Sequence, residues 1–157
     1  MMPASAAWLV LLHGLLLQVA GAAGFDTTLD EAFERDVLVI AASQHACYRF
    51  DVYLAVERMQ KRRGLMFVRD LPERTGMLFV YPNADYHSMW MKNTFIPLDI
   101  AFAREDGTIA AIAHRTEPQS LASIAPDEPV SYVLELNAGV TERLHIDEGS
   151  RLLLERP

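Results

Sequence analysis

A single cysteine, Cys47, is present in the 157 residues, so no disulfide can form within one chain. Without Cys-x-x-Cys the residue has no partner for redox chemistry, and it reads as a small buried hydrophobe opening a strand. Positive charge is also scarce, 14 Lys and Arg against 21 Asp and Glu for a net charge of -7. That balance excludes an extended nucleic-acid or anionic membrane surface as the expected partner, since both attract broad basic faces. No nucleophile elbow, metal-binding His pair or phosphate-cradling Gly loop occurs, so nothing points to a familiar enzyme class. Charge of either sign is absent from residues 1–24, where the run from Ala6 to Ala20 is apolar apart from His13, Gly14 and Gln18. With Ala20-Gly21-Ala22 behind it, this run reads as a cleaved export signal over residues 1–23, and no cysteine follows it to accept a lipid anchor. The expected location is periplasmic or secreted, with membrane attachment only if the segment stays uncleaved.

What is present is a 51% hydrophobic chain long enough for one ordinary core. Thr28-x-x-Glu31 has the form of a capping box, so residues 24–35 read as a linker or short helix before one β domain over residues 36–157. Val37 to Ala41 is apolar and β-branched, Tyr48 to Val56 alternates, and Met77 to Tyr81 is apolar on both phases, which implies burial on both faces. Pro82-Asn83-Ala84-Asp85 is expected to break that last strand. Asp106-Gly107 marks a hairpin between strands at Leu98–Arg104 and Thr108–His114, and Val130–Leu136 and Arg151–Leu154 read as later strands. A cationic helical turn is expected from Glu57 to Arg63, ended by Gly64, and is read as a solvated face. Strands at this spacing, without repeats, fit one sandwich or barrel with one or two short helices.

The unusual side chains gather at His87-Ser88-Met89-Trp90-Met91-Lys92-Asn93-Thr94 and Pro97-Leu98-Asp99. Extended, this segment puts His87, Met89 and Met91 on one face and Ser88, Trp90 and Lys92 on the other. Asp99 falls among Ala101 and Ala103, and Glu135 interrupts an apolar strand. Trp90, Lys92, Asn93, Asp99 and Glu135 are therefore the candidate ligand-binding set, suited to a small polar ligand or a protein partner through stacking and charged hydrogen bonds. A structural network, with Lys92 paired to Asp99 or Glu135 and Asn93 holding a turn, would use the same residues. Two further readings stand beside these. His87, Met89 and Met91 are soft donors suited to copper(I), although core packing is the reading that methionines favour. Asp99 with Glu135 could form a hydrolytic carboxylate pair, with Lys92 stabilising charge.

Gly64-Leu65-Met66, Gly76-Met77-Leu78-Phe79, Met89-Trp90-Met91-Lys92-Asn93-Thr94, Pro97-Leu98-Asp99, Leu134-Glu135-Leu136-Asn137-Ala138-Gly139 and Gly149 resemble, in order, the bacterial and archaeal family called domain of unknown function 192. The resemblance covers Asp36 to the end of the chain. It implies a single, mainly β fold, a β-sandwich of jelly-roll type, often exported, with no established activity, cofactor or catalytic residue.

Overall fold

The computed structural model describes residues 28–42 and 46–154. The expected export signal and residues 43–45 lie outside them. Among the described residues no helix is long and apolar enough to cross a membrane.

Alternating and doubly apolar strands produce a single seven-stranded sheet rather than two stacked ones. The strands are β1 (Glu34–Ala41), β2 (Cys47–Ala55), β3 (Thr75–Asp85), β4 (Leu98–Ala103), β5 (Ile109–Ala113), β6 (Val130–Asn137) and β7 (Arg151–Leu153). Their order is β5-β4-β6-β3-β2-β1-β7. The two ends approach each other where Ile109 N donates to Ser150 O at 2.8 Å, Gly149 N to Ile109 O at 2.9 Å and Leu152 N to Gly107 O at 2.8 Å. The result is a nearly closed barrel, which corrects the jelly-roll expectation and agrees with the barrel alternative. Right-handed strand twist curls a long single sheet until its edges meet, removing the exposed edges that a sandwich keeps. Closure requires a close backbone approach at Gly107, with φ of 85°, where a Cβ would stand 2.2 Å from Leu152 O.

Each sheet face buries its own apolar cluster. Inside the barrel, Leu38, Phe50, Val52, Leu78, Ala101, Leu134, Leu136 and Leu152 meet. On the outer face, Phe33, Met77, Phe79, Met91, Ile100, Phe102 and Val133 pack together. Burial on both sides explains the double-phase apolar run in β3, where Met77 and Phe79 face outward and Leu78 inward.

The outer cluster is covered by short helices and loops. β2 and β3 are parallel, so the chain must cross over the sheet between them, and α2 (Arg58–Arg63) lies on that crossover. Gly64 ends it with φ of 49°, and Leu65 and Met66 return to the core as expected. The preceding α1 (Leu29–Ala32) starts at the predicted box, with Thr28 N donating to Glu31 Oε2 at 2.8 Å. A third helix, α3 (Val140–Arg143), follows Gly139, where the sequence suggests a short helical segment around Thr141 to Leu144. The Asp106-Gly107 hairpin forms as expected, with Arg104 N donating to Thr108 O at 2.9 Å. Two local expectations are corrected. β3 runs through Pro82 to Asp85, because its pairing with β6 shifts register between Val80 and Asp85 and leaves no ladder bond that Pro82 would have to donate. Cys47 is exposed at the outset of β2 instead of buried.

Candidate functional site

Residues 87–91 leave the end of β3 and cross the outer face in extended form, although only Met89 joins a ladder, bridging Ile124. The expected alternation holds. His87 and Met89 are half-buried and Met91 is fully buried, while Ser88, Trp90 and Lys92 are exposed. The long loop after β5 runs alongside and is tied to this segment by Met91 N to Ser120 O at 3.1 Å and Ile124 N to Met89 O at 2.9 Å. Asn93 then turns the chain with φ of 56° while its carbonyl accepts from Phe67 N at 2.8 Å.

Between this segment and α2 lies a groove with a cavity volume of about 750 Å³. Arg58, Lys61 and Arg62 form one wall, and Trp90, Lys92 and Asn93 the other. Leu121 and Ser123 of the long loop border it, and Met66 and Met89 contribute apolar surface. Trp90 is 49% exposed, unusual for so large an apolar ring, and Lys92 Nζ sits 5.1 Å from the ring centroid. Among the described residues no ion pair joins Lys92 to a carboxylate, so its charge is available to the groove. Lys61 Nζ lies 4.7 Å from the Tyr81 ring centroid. Partial burial shifts the Lys61 ammonium pKa below its ordinary value, an effect opposed by Glu57. In sequence the basic run reads as a solvated helix face; four cations in a seven-residue stretch are the available signal, but only the β2–β3 crossover carries them to Trp90.

Below the groove a smaller chamber of about 80 Å³ reaches the sheet. Glu135 of β6 lines it, 4% exposed, between its cross-strand neighbours Met77 and Ile100. Its Oε2 has no hydrogen-bond partner. Burial pushes the carboxyl up to about 8, so it is predominantly protonated at neutral pH. Tyr81 also lines the chamber, and its hydroxyl is pushed up to about 12 by burial and by the Glu135 charge. The His87 ring is stacked on the Tyr81 ring at 3.4 Å and 12°.

Asp99 belongs elsewhere. It pairs with Leu136, whereas Ile100 pairs with Glu135, so the two carboxyls project from opposite faces of the sheet. Asp99 is fully buried at one end of the barrel, where Oδ1 accepts from Arg115 N at 2.9 Å and Oδ2 from Thr141 N at 3.0 Å and Thr141 Oγ1 at 2.7 Å. Burial raises its pKa, but the hydrogen bonds from Arg115, Thr141 and Gly139 together outweigh burial and leave it below the usual carboxylate range. Asp99 therefore anchors α3 and the turn at Arg115, and the expected grouping of five residues divides: Trp90, Lys92 and Asn93 line the groove, Glu135 lies beneath it, and Asp99 is on the other side. The same separation removes the hydrolytic Asp99–Glu135 pair.

The soft-donor set is also divided. Met89 lines the groove, but Met91 is sealed and its sulfur accepts from the Thr116 hydroxyl at 3.1 Å, while His87 is engaged with Tyr81. Among the described residues no group of three or more His, Cys, Asp or Glu is placed to hold a metal.

The chain belongs to the domain of unknown function 192 family, described as "Uncharacterized ACR", which it matches over residues 39–154. It is similar to a solved structure from Sinorhizobium meliloti 1021, described as a "putative transcription regulator", with 40% identity and a TM-score of 0.75 over 76% of this chain and 93% of that one. A second, from Novosphingobium aromaticivorans DSM 12444 and of unknown function, shares 28% identity with a TM-score of 0.73 over 83% of this chain and all of that one. No curated protein matches.

Proposed function

We propose that this chain is an exported, non-catalytic binding module whose groove takes a small anionic ligand with a ring-shaped body, such as an acidic sugar. The observation that carries this reading is the meeting of Arg58, Lys61, Arg62 and Lys92 around the exposed Trp90 ring on an otherwise acidic protein. Cations select an anion, the indole gives a flat apolar platform, and Asn93 and Ser123 offer orienting hydrogen bonds. The uncharged leader over residues 1–23 supports a periplasmic or secreted setting, where acidic saccharides are accessible. The transcription-regulator description of the Sinorhizobium protein is not carried over, because a net charge of -7 and one short cationic rim oppose contact with a long phosphate backbone.

The test uses the full chain carrying Trp8→Phe, which leaves Trp90 as the sole indole. Titration with oligogalacturonate is expected to change Trp90 fluorescence saturably, with affinity falling as salt rises. Lys61→Glu with Arg62→Glu should weaken binding at least tenfold without moving the unfolding midpoint. No response to the acidic oligosaccharide, or an equal response in the charge-reversed chain, overturns the reading. Tighter binding of a single-stranded oligonucleotide would replace the acidic sugar with nucleic acid.

A further inference from the structure

The chamber beneath the groove is built around a group that the fold itself does not satisfy. Glu135 Oε2 is buried, partnerless and positioned on the wall of a space of about 80 Å³. At roughly 30 Å³ per water, that space holds two or three waters or one small oxyanion. A buried polar atom without a partner costs free energy that a ligand atom recovers. The charges facing the chamber decide which atom. Lys61, Arg62 and Arg63 of α2 line it together with Tyr81 of β3, while His87 stands behind Tyr81. Three cations disfavour an ammonium group as the occupant and favour an anion, and an anion beside a carboxyl requires that carboxyl to donate rather than accept.

We infer that the chamber is an oxyanion subsite in which the Glu135 carboxyl donates a hydrogen bond to the ligand's anionic head group, while Lys61 and Arg62 balance its charge and the ligand body extends past Trp90. The assignment deepens the acidic-ligand reading and rests on it. The raised Glu135 pKa agrees with the donor role. Binding therefore depends on a proton that the protein already carries at neutral pH. Affinity holds below the Glu135 pKa and falls above it, by up to tenfold per pH unit for one linked proton.

The experiment is calorimetric titration of the full chain with D-galacturonate and, separately, with inorganic sulfate, from pH 6 to pH 10, where neither probe titrates. Level affinity to about pH 8 followed by a decline is expected. Glu135→Gln keeps a donor in the same shape, so it should bind within a few-fold of the parent at pH 7 and lose the decline. Lys61→Arg removes the competing ammonium titration and should keep the decline. Infrared difference spectra should show the protonated Glu135 carbonyl band shifting when galacturonate is added, independently of any variant's folding. Binding of galacturonate alone identifies a carboxylate head, and binding of both probes a general oxyanion; either supports the subsite only with the Glu135-dependent decline. A Glu135→Gln chain that declines like the parent, or a carbonyl band that does not move on saturation, overturns the subsite while leaving the groove reading intact. Absence of binding by both probes and by oligogalacturonate overturns both.

Discussion

Asp99 and Glu135 are buried carboxyl groups on neighbouring strands, and they behave oppositely. Asp99 sits at the end of the barrel interior and accepts hydrogen bonds from Arg115 and Thr141, which hold it ionised. Glu135 lies on the outer face between Met77 and Ile100, with Oε2 unpartnered, and burial holds it protonated near neutrality. The difference teaches that burial does not decide a carboxyl's charge; the donors that reach it do. It also separates an anchored group from an unanchored one. A satisfied group has its hydrogen-bonding capacity spent on the fold, while an unsatisfied one faces the chamber and retains capacity for something that arrives.

The largest expected effect is on the satisfied member. Asp99→Ala removes the acceptor for Arg115 N and both Thr141 donors and should destabilise the chain by on the order of 3 kcal/mol, read from chemical denaturation. If this change were neutral, the contrast between anchor and site would collapse.

The second effect has the opposite sign. The folded pKa of Glu135 lies above the unfolded value near 4.3, so the folded state holds the proton longer and stability falls as pH rises from about 4.3 to about 8, then levels. Asp99, with a depressed folded pKa, contributes stability above its unfolded value near 3.9 that is lost as pH falls through the folded one. Glu135→Gln should therefore flatten the decline towards pH 8 and raise the neutral-pH unfolding free energy by a few kcal/mol, while leaving the acid limb in place. Unfolding midpoints measured from pH 3 to pH 9 separate the two groups. A parent chain with no decline between pH 5 and pH 8 would show that Glu135 finds a partner in solution.

A smaller effect sharpens the Asp99 side. Thr141→Val deletes one hydroxyl donor but keeps the backbone one, and about 1–2 kcal/mol should be lost, with the acid limb moved to higher pH. The smallest stability effect belongs to the groove. Trp90→Ala removes a half-exposed ring, so it should shift unfolding by about 0.5 kcal/mol or less while weakening oligogalacturonate binding at least tenfold. Equal losses of stability and binding would make Trp90 a packing residue.

Much of the fold was legible because its cues are local. The Asp106-Gly107 turn, the end of α2 at Gly64 and the capping box at Thr28 each depend on a few adjacent residues, and each forms as expected. The inward and outward sorting of residues 87–92 follows from extended backbone alone and survives the absence of a regular strand there. Pro82 misled because its effect depends on whether a partner strand needs its N–H, and a register shift removes that need. The cationic run was visible, yet its role was not, since solvated and groove-lining helix faces share one composition. Met91 is a soft donor by residue type, but Thr116, 25 residues away, places its hydroxyl 3.1 Å from the sulfur.

Sequence alone settled which side chains alternate along each strand, because backbone pleating has a period of two and needs no distant partner. Only the tertiary structure decided that Asp99 and Glu135 stand on opposite faces and that α2 brings its cations over the second. Those outcomes depend on the register between β4 and β6 and on the path of the β2–β3 crossover, both set by packing between residues far apart in the chain.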